Sequence, residues 1–272
     1  MPRRIRACAL ARVRGRMVRP RSRLQQLVES LQVERPSKQS ADAAPTVSEV
    51  SADLDLLDEL WLFVRDHLPV APSRVLELGC GAHGGFVPRM RAAGHEAIGV
   101  DPRAPEGAEY RRVRFEELID AGHFDAVVAC TALHHVADLN EIALGIVGCM
   151  DAGGVLVIIE WAWERVDEAT ARWCFAHLAP TSQPSWLTHR RDEWLASGLP
   201  WEIYLREWAS DHRIHRSDDI RTTIDGHFDL VRESHGPYYF ADLDGVTAAD
   251  ERAAIDAGTI RAPASLYVGR RR

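Results

Sequence analysis

The stretch VLELGCGAHGGF, Val75–Phe86, decides the fold. An apolar run ends near an acid, Glu77, and gives way to Gly79, Gly81, Gly84 and Gly85 before the next apolar segment begins. A short apolar run bounded by glycine reads as a buried strand. The glycines let the chain turn sharply and let a ligand touch bare backbone. A helix opening after such a turn points free N–H groups at that ligand.

The flanking sequence repeats the same alternation. RVLEL, EAIGV, RRVRF, FDAVVAC and GVLVIIE read as strands, with FVPRMRAAG and LNEIALGIVGCM as helices between them. Strands alternating with helices make a doubly wound α/β sheet, parallel and covered on both faces. Ligands of such sheets sit beyond the carboxyl ends of the strands, where the glycine stretch falls. Upstream, Leu54, Leu57, Leu60, Trp61 and Val64 form a helical stripe, with Ser51 as its expected N-cap and Pro69 and Pro72 beyond its end.

Downstream the character changes. Seven of the eight tryptophans (161, 163, 173, 186, 194, 201, 208) fall in the stretch from Trp161 to Ser217. This stretch reads as a mostly helical insertion over the strand ends. Ser217 is expected to cap a short helix through Ile224, and HFDLVRESHGPYY and SLYVGRR supply two last strands. Four stretches result. They are an Arg-rich disordered tail and linker (1–45), a ligand-binding core (46–160), the Trp-rich insertion (161–217), and a C-terminal part completing the sheet (218–272).

Charge narrows the partners. Residues 1–23 hold nine arginines and no acid, so the other 24 basic side chains face all 40 acidic ones, a formal charge of −16 for the body. That is a poor footprint for a nucleic-acid binder. The arginine-rich start lacks the apolar core of a secretory signal, and Met17 offers a later beginning. Five scattered cysteines with no C-x-x-C pair argue against disulfides and structural zinc and suit a cytoplasmic protein. The longest strong apolar run, Val155–Ile159, is far too short for a membrane span.

Gly79, Gly81 and Gly84 satisfy G-x-G-x-x-G, the dinucleotide pattern, and also the looser acid-x-G-x-G pattern that serves S-adenosylmethionine. Asp101 ends the second strand twenty residues after Gly81, where its carboxylate can accept hydrogen bonds from a ribose diol under either reading. Glu77 separates them. A carboxylate there would repel a pyrophosphate, whereas S-adenosylmethionine brings a sulfonium and an ammonium. An NAD(P)-dependent oxidoreductase and a catalytically silent S-adenosylmethionine-binding protein remain the alternatives.

The order ELGCG, GVD, FDAVVACTALHHV, DAGGVLVIIE resembles the class I S-adenosylmethionine-dependent methyltransferases, especially their small-molecule branch. The resemblance covers residues 74–160 and, more loosely, the last two strands. It implies a Rossmann-like seven-stranded sheet of order 3-2-1-4-5-7-6, its last strand antiparallel. It further implies that Glu77, Gly79, Cys80 and Gly81 line the methionine end of S-adenosylmethionine, and that Asp101 holds the ribose. Phe115 and Glu116 would flank the adenine, Cys130 and Thr131 would close the pocket, and Gly153–Gly154 would turn before the fifth strand. Three departures stand out: His83 replaces the family's third glycine, the proline-rich DPRAPEGAEYRR leaves no room for the usual helix, and the acid near the adenine falls late.

For chemistry, His134 and His135 in ALHHVAD and Glu160 at the end of the fifth strand are the candidates. Methyl transfer is an in-line displacement, so alignment and water exclusion supply much of the rate. A hydroxyl acceptor would add the need for a base, which a neutral imidazole can meet. Asp138 alone gives the histidines thin support as a metal site, so no metal is expected. The tryptophans suit an apolar or aromatic small-molecule acceptor. They equally suit a role as glue between helices.

Overall fold

The computed structural model describes residues 47–118, 122–179 and 185–272, with side chains from residue 55 onward. The tail and linker expected over residues 1–45 lie outside the described residues. A helix, α1 (Val47–His67), precedes the sheet. It starts before Ser51, so Ser51 lies within the helix rather than capping it. The early strands and helices are β1 (Arg74–Leu78), α2 (Val87–Ala92), β2 (Glu96–Val100), β3 (Tyr110–Arg111), β4 (Phe124–Cys130), α3 (Leu139–Cys149) and β5 (Met150–Trp161). Then come α4 (Glu168–Ala176), α5 (Trp186–Ser197), α6 (Trp201–Asp211), α7 (Ser217–Asp225), β6 (Phe228–Gly236), α8 (Ala248–Asp256) and β7 (Ala264–Arg271).

The seven strands form one sheet in the order β3-β2-β1-β4-β5-β7-β6. The first five run parallel, and β7 is antiparallel to both β5 and β6. The two-residue period of the strands fills both faces. Leu76, Leu78, Val127, Ala129, Leu156 and Ile158 pack with Ile142 and Ile146 of α3 and Ile220 and Ile224 of α7. The intervening Val75, Ala126, Val128, Val157 and Ile159 pack with Leu60 and Val64 of α1 and Phe86, Val87 and Met90 around α2. Both faces are therefore dry, and the polar ligand-binding groups are confined to the strand ends.

Several sequence expectations are corrected in detail. RRVRF contributes only Arg111 to the two-residue β3, because Val113 and Phe115 leave the strand to pack against the α3 side of the core. Gly153 and Gly154 do not form a turn before β5 but lie within it, with Gly153 at φ +78° near an irregularity in the β4 pairing. Ser217 is the first residue of α7, preceded by Arg216, and its hydroxyl donates to Glu164 instead of capping. Helix α8, held by a Thr247–Asp250 capping box, went unforeseen between the last two strands. No helix follows β2, in line with its proline-rich loop.

After β5 the chain builds a third apolar cluster, separate from the two that cover the sheet. Trp161, Trp163, Trp194, Trp201, Tyr204 and Leu205 form it, joined by Tyr239 and Leu243 from the β6–α8 connection. Local signals set its helices: Asp167 caps α4, Ser185 caps α5, and Gly198 in the left-handed region ends α5. No helix of the described residues is long and apolar enough to cross a membrane.

Candidate active site

The glycine turn runs from β1 into α2 with Gly79, Gly81, Gly84 and Gly85 all at positive φ. Two of these glycines stand in opposite surroundings. A Cβ on Gly85 would lie 2.2 Å from an oxygen of Glu77, so the turn closes over that side chain. A Cβ on Gly81 would meet nothing within 4 Å, so here the backbone faces open space. That bare edge leaves room for a ligand to approach the backbone.

Glu77 is buried, and both of its oxygens accept from the Phe86 N–H, at 2.8 and 3.0 Å. It thereby fixes the start of α2. Burial drives its pKa up from 4.5 to about 8, against the lowering effect of the Phe86 and Val87 N–H groups and the Arg89 charge. Cys80 is also buried, its sulfur against Gly99, and burial pushes its thiol up to about 12. Its backbone N–H is directed at the Val100 carbonyl, at 3.4 Å.

Asp101 follows β2, with its side chain 12% exposed. Its Oδ1 accepts from the Arg103 N–H at 2.7 Å and lies 3.9 Å from the Arg103 guanidinium. Phe115 and Glu116 sit elsewhere. They line a cavity of about 520 Å3 with His123, Ile142, Gly145 and Cys149, along α3, and none of the other cofactor candidates lines it.

At the carboxyl end of β4, Cys130 is buried and Thr131 adopts φ +48°, a left-handed conformation rare for a β-branched residue. The Thr131 N–H is held by the Ile159 carbonyl. This bend starts a 3-10 turn, Leu133–His135, that puts His134 over the end of β5. There the buried His134 Nδ1 lies 2.6 Å from Glu160 Oε2. Oε1 of Glu160 accepts the N–H groups of Ala132 and Leu133, at 3.0 and 2.6 Å. Sequence alone named both residues but not their pairing, which follows from the β4–β5 register: Cys130 faces Ile159, so the next residues meet above the sheet.

The His135 ring lies tilted against that of His134, with centroids 4.0 Å apart and planes at 44°. Its outer edge is exposed, but burial of the ring, followed by the His134 charge, lowers its pKa to about 4, so it is neutral at pH 7. His215, which the sequence did not single out, ties the insertion to this turn. Its N–H donates to the His134 carbonyl, and its ring Nε2 lies 2.9 Å from the Val136 carbonyl. Asp138 spends its carboxylate capping α3, and among the described residues no cluster of metal-ligating side chains occurs.

Above the dyad stands the insertion's aromatic wall. Trp161 meets the His134 ring edge-on at 6.2 Å and packs on Trp186 at 5.2 Å and Trp208 at 6.1 Å. Its indole N–H donates to Tyr239. The wall is mixed: Trp161, Trp163, Trp194 and Trp201 are buried, whereas Trp186 is 40% exposed.

Residues 50–219 match the family described as a methyltransferase domain. Over 117 residues the chain is 31% identical to a tRNA U34 carboxymethyltransferase of Pseudomonas fluorescens, covering 37% of this chain and 36% of that one. Over 98 residues it is 30% identical to a ubiquinone biosynthesis O-methyltransferase of Rhodopseudomonas palustris, covering 31% and 38%. The chain thus spans well under half the length of the curated relatives it matches. Among solved structures, an S-adenosylmethionine-dependent methyltransferase of Mesorhizobium loti aligns at 19% identity with a TM-score of 0.49, over 79% of this chain and all of that one.

Proposed function

The chain belongs to the S-adenosylmethionine-dependent methyltransferases, and we propose that it moves a methyl group onto a hydroxyl of a small aromatic acceptor. The observation that carries this reading is the buried His134–Glu160 pair at the ends of β4 and β5, beside the bare glycine turn. The family match replaces the dinucleotide alternative.

The residues present suit the family's methyl donor. Gly79 and Gly81 offer backbone to its amino-acid end, with Glu77 beneath as a carboxyl that an adjacent ammonium would favour in its ionised form. Asp101 offers carboxylate oxygens to the ribose, and Cys130 and Thr131 border the same strand ends. Phe115 and Glu116 serve the adenine in this reading only if the loop after β3 moves toward Asp101. When bound, S-adenosylmethionine supplies a methyl already activated by a sulfonium.

The chain's own residues then handle the proton. With Glu160 ionised, His134 holds its proton on Nδ1 and keeps a lone pair on Nε2. That nitrogen takes the acceptor's hydroxyl proton as the oxygen becomes nucleophilic, and Glu160 steadies the imidazolium that results. Three backbone N–H groups, of Ala132, Leu133 and Trp161, fix the carboxylate, so the imidazole is oriented before the acceptor arrives. The aromatic wall excludes water and selects a flat acceptor. A methyl-donor assay over phenolic metabolites tests this. His134→Ala should cut transfer by about 10²–10⁴-fold with S-adenosylhomocysteine affinity unchanged within about tenfold. Full activity in that variant would remove the base.

A further inference from the structure

The insertion contains a buried guanidinium whose donors are only partly paired. Arg190, on α5, is 8% exposed, lying over the rings of Trp208 and Trp186 at 4.7 and 5.7 Å. Glu193, itself 54% exposed, takes one hydrogen bond from Nη2 at 3.0 Å. Among the described residues Nε and Nη1 of Arg190 have no partner, and neither has the buried indole nitrogen of Trp208 beside them. The nearby Tyr204 hydroxyl donates to Glu193.

An arginine that served only to glue two helices would have its donors satisfied, because a buried donor without an acceptor is costly and rare. Here three such donors belong to one aromatic cluster, where the Tyr204 hydroxyl and Glu193 engage the guanidinium but leave Nε and Nη1 of Arg190 and the Trp208 indole nitrogen without acceptors. What fits is an occupant carrying oxygen acceptors and negative charge. Guanidinium groups bind carboxylates through charge-assisted hydrogen bonds that strengthen away from water. The cluster opens outward at the partly exposed Trp186. It connects to the chemistry through Trp161, whose ring lies within about 6 Å of those of Trp186, Trp208 and His134. A molecule lying along Trp161 would span from His134 to Arg190.

We propose that Arg190, framed by Trp186 and Trp208, binds a carboxylate on the methyl acceptor and so sets the enzyme's specificity for hydroxylated aromatic acids. The inference rests on the acceptor site proposed above, and it adds the anionic head that an apolar wall alone does not specify.

The test uses the full chain and measures binding by tryptophan fluorescence and calorimetry. The probes are 4-hydroxybenzoate and 3-(4-hydroxyphenyl)propanoate, each against its methyl ester, with and without S-adenosylhomocysteine. At least one acid should bind tenfold or more tighter than its ester. Arg190→Met should bring that ratio within about twofold while leaving S-adenosylhomocysteine affinity unchanged, and Arg190→Lys should retain part of the preference. Equal binding of acids and esters, binding of neither, or a preference that survives in Arg190→Met would overturn the proposal. The wild-type ratio needs no variant, so misfolding of Arg190→Met cannot shield the idea. The S-adenosylhomocysteine titration reads the donor site separately. Its failure would undo the proposed reaction while the acid–ester ratio still judged Arg190.

Discussion

Glu77 and Glu160 are alike in type, in burial at about 1% exposure, and in standing at the carboxyl ends of parallel strands. They differ in partners. Glu77, on β1, gives both oxygens to one backbone N–H and faces no basic side chain in hydrogen-bond range among the described residues. Glu160, on β5, divides its oxygens between three backbone N–H groups and an imidazole. The first acid builds a turn and keeps its proton to an unusually high pH. The second orients a ring. Burial at a strand end therefore does not assign a role; the partner that the neighbouring strand supplies does.

The largest effect should follow from altering the second acid. Glu160→Gln keeps the shape but can present an amide N–H to His134 Nδ1, favouring the wrong tautomer. Methyl transfer should fall about 10²–10⁴-fold, with S-adenosylhomocysteine binding retained. Equal activity would reduce the pair to a packing contact.

The first acid should reveal itself through pH instead. Its folded pKa, about 8, lies above the ordinary 4.5, so the folded chain holds an extra proton between those values. Its contribution to stability is full below pH 4.5 and drains as pH rises to about 8, by at most about 5 kcal/mol. Denaturant titrations from pH 5 to 9 should show this fall in the wild type and a flatter profile in Glu77→Gln. A wild-type profile without the fall would show that Glu77 is ionised through favourable contacts.

A smaller loss is expected at Asp101. Asp101→Ala removes charge-assisted acceptors worth about 1.5–3 kcal/mol each, so S-adenosylhomocysteine affinity should drop about tenfold or more without a change in melting temperature. Unchanged affinity by calorimetry would move the ribose elsewhere. The smallest effect belongs to Gly81→Ala, which should cost about 1 kcal/mol for its left-handed backbone alone. Gly85→Ala should cost clearly more, because its Cβ collides with Glu77. Equal costs would mean that the turn does not close on that carboxylate as described.

What the sequence disclosed follows the range of the interactions involved. The glycine turn and the strand order rest on local chemistry and on a family resemblance in residues 74–160, and the sheet order agrees with that resemblance. The helices expected to start at Ser51 and Ser217 begin earlier, by a few residues and by one. His134 and Glu160 were legible as candidates, but their contact depends on β4–β5 register, which no local pattern encodes. Phe115 is an adenine candidate through the resemblance alone; its packing over Gly145 of α3, a position open to an aromatic ring only because that residue is glycine, is a tertiary contact that no local pattern encodes. Arg190 carried no sequence signal. It became visible once two tryptophans from different helices were found against its guanidinium.

The claim that the partner decides the acid's role is tested most directly at the His134 ring. Nitrogen-15 NMR of the histidine side chains, assigned with His134→Gln, reads which ring nitrogen bears the proton at pH 7. A proton on Nδ1, shifted far downfield by Glu160, with an unprotonated Nε2 is the predicted result, and Glu160→Gln should erase that downfield signal. A proton on Nε2 in the wild type would contradict the account, since no lone pair would remain for the acceptor.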